Sequence, residues 1–318
     1  MMPEPVEQEF DVVVIGAGAV GENVADRAAQ GGLSVVLVEA ELVGGECSYW
    51  ACMPSKALLR PGTALHAAQT TPGAKEAVTR TLDAAAVLKR RDYFTSNWQD
   101  DSQVAWVKDS GIDLIRGHAW LTAPKSVQVA GLDGTSHQLR ARHAVVLATG
   151  SVPNTPPVEG LEDLQVWGTR EATSAREVPE RLAVLGGGVA GTELAQAFAR
   201  LGSAVTLVAR GRLLGKFPEE AASLVAAGLR ADGVELPIQV AGSSLHSENY
   251  QGWAQLVIDE DRKVLLGATF AGPDVSELLH AATIAVVGEV PLSRLWHAVP
   301  SYPTISEVWL RLLEKYGL

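Results

Sequence analysis

Cysteine is nearly absent from this chain: two occur in 318 residues, Cys47 and Cys52. So small a number excludes a disulfide-stapled secreted scaffold. A close pair in a reducing compartment is instead catalytic or metal-binding, and no His or Cys cluster nearby completes a metal site, so no metal is expected. Excess positive charge is also missing. Lys and Arg number 26 against 37 Asp and Glu, for a net charge of −11 with no basic run. That argues against nucleic acid or an anionic membrane as a partner. No apolar stretch approaches the roughly 20 residues of a spanning helix. The acidic start MMPEPVEQEF lacks the apolar centre of a secretory signal. The chain therefore reads as cytoplasmic. Its 47% apolar and 20% charged residues are ordinary for a globular protein, and the length predicts about two domains.

What is present is a repeat. Residues 11–21 read DVVVIGAGAVG and residues 181–191 read RLAVLGGGVAG. Gly16, Gly18 and Gly21 recur in register as Gly186, Gly188 and Gly191, and the register continues from SVVLVEA at 34–40 into AVTLVAR at 204–210. Each motif follows a strand pattern and opens a helix pattern, the setting in which glycines admit a pyrophosphate to the positive end of a helix. Glu39 closes the second strand of the first copy, where a carboxylate binds the hydroxyls of an adenosine ribose. In the second copy Ala209 takes that place, with Arg210 and Arg212 just beyond. Losing the acid and gaining cations favours a 2′-phosphate, hence NADP over NAD. As plain solvated surface residues, the two arginines would carry no such preference.

The cysteines lie in GGECSYWACMPSKAL, residues 44–58. A straight helix would separate them by about 7.5 Å in rise alone, at roughly 1.5 Å per residue. A disulfide needs its Cα atoms within about 7 Å. A bonded pair therefore requires a bend between the two. Pro54 fits the first turn of a following helix, which places Cys52 at a helix N-terminus, where a thiolate is favoured. Elsewhere the pattern predicts helix over 53–90 with a loop near Pro72–Gly73, short strands over 112–130 and a strand at Ala144–Thr149. A hairpin is predicted around DEDR at 259–262, and helices over Ser276–Val287 and Ser306–Glu314.

These motifs, with ATGS at 148–151, GGGVAGTELA at 186–195 and YPTISE at 302–307, resemble the pyridine nucleotide–disulfide oxidoreductases, the family of dihydrolipoamide, glutathione and mercuric reductases. The resemblance covers nearly the whole chain. It implies an α/β protein with two Rossmann-like dinucleotide-binding units, the second incomplete, and a partial α+β C-terminal interface domain. The corresponding boundaries are 1–165, 166–236 and 237–318. FAD is expected on Gly16, Gly18, Gly21, Glu39, Thr149 and Gly150, and the pyridine nucleotide on Gly186, Gly188, Gly191, Arg210 and Arg212. Cys52 would face the flavin and Cys47 would exchange with substrate. Lys56 and Glu193 would pair beside the flavin ring, although Lys56 alone reads equally well as surface. Family members are two-fold dimers, so Tyr302 and Glu307 would act on the partner's Cys47.

Three departures from the family stand out. Tyr302 occupies the place of a catalytic His. Tyr titrates near 10 and His near 6.5, so Tyr302 is a poor general base at neutral pH and fits a proton donor or packing at the interface. Val189 replaces a Tyr that often gates the nicotinamide pocket. The chain also reads as internally deleted: it has no Gly-Asp dipeptide, and ATG occurs only at 148–150. The family's Gly-Asp segment carries an Asp for the flavin's ribityl–phosphate region. The expected activity is transfer from NAD(P)H through FAD to Cys47–Cys52, then to a small disulfide or other small acceptor such as a quinone. Without further cysteines, mercuric reductase and the larger thioredoxin reductases are disfavoured; soluble transhydrogenases share the Tyr but lack the cysteine pair. The alternative is a non-catalytic remnant that binds nucleotide or dimerises without turnover.

Overall fold

The computed structural model describes residues 6–209, 211–236, 253–272, 275–300, 306 and 308–318. The chain divides into two compact units, Met1–Pro179 and Glu180–Leu318.

The first unit is built on five strands: β1 (Val6–Ile15), β2 (Val35–Glu39), β3 (Asp113–Ala123), β4 (Ser126–Gly131) and β5 (Ser136–Leu147). Neighbours pair in the order 1-2-3-4-5, and β5 returns to β1, closing a barrel. At one end the pairing is parallel, with Val12–Ile15 against Val35–Val38 and Ala144–Leu147. At the other, β3, β4 and β5 form an antiparallel meander. The strand alternation sorts side chains to two cores. Val13, Ile15, Val36 and Val38 join Val127, Val129 and Leu139 in one cluster. Val12, Val14, Val35 and Leu37 join Ala25, Val107 and Ile112 in the other. Burial on both faces is why Val12–Ile15 of β1 and Val35–Val38 of β2 read as unbroken apolar runs.

Helix α1 (Ala19–Gln30) follows the first glycine motif. Helix α2 (Gly45–Tyr49) and helix α3 (Cys52–Thr70) carry the cysteine segment, and α4 (Ala84–Phe94) starts at Asp83, whose carboxylate accepts from the Ala86 N–H at 3.0 Å. Helix α5 (Asp101–Asp109) and a short helix α6 (Thr169–Thr173) complete the unit. The meander departs from the expected short strands. β3 runs 11 residues and β5 begins at Ser136, well before Ala144, because β4 supplies ladder partners to both.

The second unit opens with β6 (Arg181–Leu185), α7 (Val189–Arg200) and β7 (Ala204–Val208), the two strands pairing in parallel. Helix α8 (Glu219–Ala231) leads to Glu235, whose N–H and C=O bond to Val205 and Leu207 and extend the sheet beyond β7. The expected hairpin is found as β8 (Trp253–Asp259) against β9 (Val264–Ala271). Helices α9 (Ser276–Val287), α10 (Leu292–Leu295) and α11 (Val308–Tyr316) follow. Leu265, Ala285, Leu292 and Leu313 form their shared core. Among the described residues no helix is long and apolar enough to cross a membrane.

Candidate functional site

The two glycine motifs fold alike. Gly16 sits at φ +98°, and a Cβ there would lie 2.3 Å from the Ala148 carbonyl oxygen. Only glycine lets the turn pass under the ATG segment, which brings Thr149 and Gly150 beside it. A Cβ on Gly21 would fall 1.9 Å from the Gly16 oxygen, and one on Gly191 2.2 Å from that of Gly186. These glycines serve helix-to-turn packing. The middle ones do not. Gly18 (φ −78°) and Gly188 (φ −82°) have ordinary backbones and precede α1 and α7 as N-caps. A Cβ at Gly188 would meet nothing within 4 Å, and one at Gly18 only the Gly45 Cα at 3.9 Å. Nothing among the described residues demands glycine at either place. The open space ahead of a helix N-terminus fits a phosphate, so the residues present suit a dinucleotide at each turn.

At the strand ends, the Glu39 carboxylate accepts the Ala17 N–H at 2.7 Å and the Glu41 N–H at 2.7 Å, which fixes its orientation at the end of β2. In the second unit Ala209 stands at the corresponding place. Arg212 donates from Nη2 to the carbonyls of Gly215 (3.1 Å) and Phe217 (2.8 Å), so it pins its own loop. Arg210 lies outside the described residues, as do Tyr302 and Glu307.

The cysteine segment rests directly on the first glycine turn. Gly44 (φ +112°) donates its N–H to the Ala17 oxygen at 2.8 Å, and a Cβ on Gly45 would lie 2.7 Å from the Gly18 Cα. Cys47 lies in α2. The helix breaks at Trp50 and Ala51 (φ −128°, ψ −91°), and Cys52 opens α3. The bend required by the spacing is present. Both thiols are free, with Cys47 half-buried and Cys52 exposed. Burial, then Cys52, pushes the Cys47 thiol up to about 11, with Glu22 adding to the rise and Lys56 opposing it. Lys56 shares a face of α3 with Cys52, one turn on, and its Nζ donates to Ser55 Oγ at 3.3 Å. Glu193 stands on α7 in the second unit.

Two features were not found from sequence. Glu22, on α1, is half-buried and its carboxyl is raised, first by burial and then by Glu39. A glutamate immediately after the third glycine was the available signal. The second is a cluster around Arg170. Its guanidinium donates to both Glu41 oxygens (3.0 and 2.7 Å) and to Glu46 Oε1 (2.6 Å), and lies 4.1 Å from the centre of the Trp50 ring. These partners lie more than 100 residues away in sequence, and no local pattern announces them.

A dithiol bent onto a glycine-rich βα turn, in a mixed α/β chain with a second such turn, defines a nucleotide-linked redox protein. Residues 10–282 match the pyridine nucleotide-disulphide oxidoreductase family. The chain belongs to that family, whose members are FAD-dependent and use a pyridine nucleotide. It is 33% identical over 289 residues to a mercuric reductase of Acidithiobacillus ferrooxidans, covering 88% of this chain and 52% of that protein. A mercuric reductase of Streptomyces lividans is 32% identical, covering 87% and 56%. The chain thus spans about half the length of these curated relatives. With a mercuric reductase of Serratia marcescens the match runs over 345 positions, covering 95% of this chain and 75% of that one. That exceeds the chain's 318 residues, so part of that relative has no counterpart here. The fold is similar to the HOCl-induced flavoprotein disulfide reductase RclA from Escherichia coli, with a TM-score of 0.73 at 18% identity, covering 96% of this chain and 99% of that chain.

Proposed function

We propose that this chain is a flavin-dependent disulfide-reductase-type enzyme that draws electrons from NAD(P)H, with NADPH preferred, into the Cys47–Cys52 pair and on to a small disulfide or other small acceptor. The observation that carries the reading is the seating of the cysteine segment on the Gly16–Gly21 turn through the Gly44 N–H and the Gly18–Gly45 approach. It places the thiols beside the turn that suits a dinucleotide.

In this reading Gly16, Gly18, Gly21 and Glu39 hold the adenosine–diphosphate half of FAD, with Thr149 and Gly150 alongside. Gly186, Gly188 and Gly191 take the pyrophosphate of the pyridine nucleotide, and Arg210 and Arg212 its 2′-phosphate. Bound FAD supplies the two-electron relay between nicotinamide and disulfide. Cys52, at the start of α3, is the thiol on the flavin side, while Cys47 exchanges with the acceptor. Lys56 opposes the rise of the Cys47 thiol and so favours its thiolate; its pairing with Glu193 belongs to the same proposal. Tyr302 and Glu307 would act on Cys47 from the partner subunit of a homodimer, Tyr302 as the donor of a proton or hydrogen bond. The functional segments are 1–165, 166–236 and 237–318. A small disulfide comes first as acceptor, because these 318 residues hold no cysteine beyond the pair to receive a mercuric ion from it. The non-catalytic alternative is not favoured, since the family match spans both glycine motifs and the cysteine pair is intact.

The test is the spectrum and thiol count of the purified chain. With its Gly-Asp segment missing, it should carry well under one flavin per chain unless FAD is added. Loaded with FAD, it should gain two thiols per chain on exposure to NADPH. A flavin-loaded protein whose thiol count stays unchanged under native and denaturing conditions would defeat the reading.

A further inference from the structure

Helix α2 is too short to hold itself. It has five residues, and only Tyr49 is buried, whereas isolated helices under about 12–15 residues are marginal in water. Its start is fixed by Gly44 and Gly45 against the glycine turn. Its end is held from outside. Trp98 Nε1 donates to the Tyr49 carbonyl at 3.1 Å, and the single proton of Thr173 Oγ1 is shared between the Trp50 carbonyl, at the break between the cysteines, and the Thr169 carbonyl of its own helix, each at 2.9 Å. Arg170, one turn before Thr173 on α6, lies against the Trp50 ring and donates to Glu46. Glu46 and Trp50 are four residues apart and bracket Cys47. The base of this arrangement is rigid. Arg91, only 1% exposed, donates to the Thr173 and Ala175 carbonyls at 2.6 and 2.9 Å. Cys52 stands on the 19-residue α3 and is fixed separately.

We propose that Arg170 is a positioning residue for the redox pair: by gripping Glu46 and Trp50 it holds Cys47 against Cys52 and so favours closure of their disulfide. This rests on reading Cys47–Cys52 as the redox centre. A single exposed ion pair does little. Here one planar guanidinium pairs bidentately with Glu41, bonds Glu46 and stacks on Trp50, which a lysine cannot reproduce. Closure by a small disulfide RSSR is balanced. Cys47 and Cys52 each give up a proton and an electron, and their S–S bond forms. The RSSR bond breaks, and two RSH molecules leave with those protons and electrons. Arg170 takes no part in the chemistry; it sets how often the two sulfurs meet.

The experiment equilibrates the full chain with glutathione–glutathione disulfide buffers and counts free thiols. Arg170→Ala should weaken disulfide formation about tenfold, a rise in potential of ~30 mV for a two-electron couple. Arg170→Lys should shift it the same way by less. Glu46→Gln should follow Arg170→Ala, while Glu41→Gln, which leaves the grip on α2, should stay within twofold of the parent. Circular dichroism shows which variants fold; if Arg170→Ala does not, Arg170→Lys and Glu46→Gln carry the test. Folded Arg170 and Glu46 variants within twofold of the parent would overturn the proposal. So would a Glu41→Gln shift as large as that of Glu46→Gln, because Arg170 would then be a surface brace. A parent chain with no exchangeable pair of thiols would sink the redox reading itself, and this proposal with it.

Discussion

Replacing Gly188 and Gly191 separately by alanine distinguishes a glycine kept for a ligand from one kept for the fold. The two stand three residues apart in one turn. A Cβ at Gly188 meets nothing within 4 Å among the described residues, and its φ of −82° is open to any residue. At this N-cap, alanine is worse than glycine by about 0.5–1 kcal/mol, while the lost chain entropy of glycine returns about 0.4–1 kcal/mol. The free protein should therefore keep its stability to within about 1 kcal/mol. Pyridine nucleotide should suffer, because the methyl enters the space a phosphate would occupy. Losing one charge-assisted hydrogen bond costs about 1.5–3 kcal/mol, roughly 10- to 150-fold in Kd. Gly191→Ala should do the reverse. Its Cβ would lie 2.2 Å from the Gly186 carbonyl oxygen, a backbone atom that cannot swing aside. Overpacking of this kind costs about 1–3 kcal/mol, or a Tm lower by roughly 2–10 °C. Thermal unfolding without nucleotide and calorimetric titration with NADPH measure the two effects. A Gly188→Ala chain that binds NADPH within twofold of the parent would refute the placement of the phosphate. A Gly191→Ala chain with unchanged Tm would refute the packing argument.

In the reduced, flavin-free chain, iodoacetamide at pH 8 should label the exposed Cys52 before Cys47. With the Cys47 thiol at about 11, only on the order of one molecule in a thousand carries the thiolate at that pH; equal rates at both sites would contradict the burial argument. Arg210→Ala should weaken NADPH about ten- to a hundred-fold while sparing NADH, by loss of a phosphate contact; equal affinity for both nucleotides in parent and variant would remove the proposed preference. Asp11 accepts from Arg142 Nε at 2.7 Å and from Ser34 N and Oγ at 2.8 and 2.9 Å, which holds its carboxyl far below its ordinary 3.8. A lowered folded value contributes stability above the unfolded value and loses it as pH falls through the folded one. Asp11→Asn should therefore lower Tm at pH 7, and the gap should narrow below pH 4; a gap independent of pH would reject this.

Much of the chemistry was legible in the chain alone, because it is local. Glycines that permit a turn, an acid at a strand end and two cysteines five apart are constraints within a few residues. They recur in the structure as the Gly16 and Gly186 turns, the oriented Glu39 and the break at Trp50–Ala51. The strands read as apolar runs for an equally direct reason: Val12–Ile15 and Val35–Val38 are buried on both faces. The lengths of β3 and β5 were not legible, since they depend on β4 as a shared partner rather than on their own composition.

The sequence by itself determined the two βα turns, the bend between the cysteines and the family, all through short-range rules of backbone geometry and spacing. Only the tertiary structure decided which glycines face open space and which face backbone. It alone placed Gly44 and Gly45 on the first turn, turned Arg212 onto its own loop and brought Arg170 from beyond the barrel onto Trp50 and Glu46. Those facts depend on which distant segments a folded chain sets side by side, and sequence order carries no record of that distance.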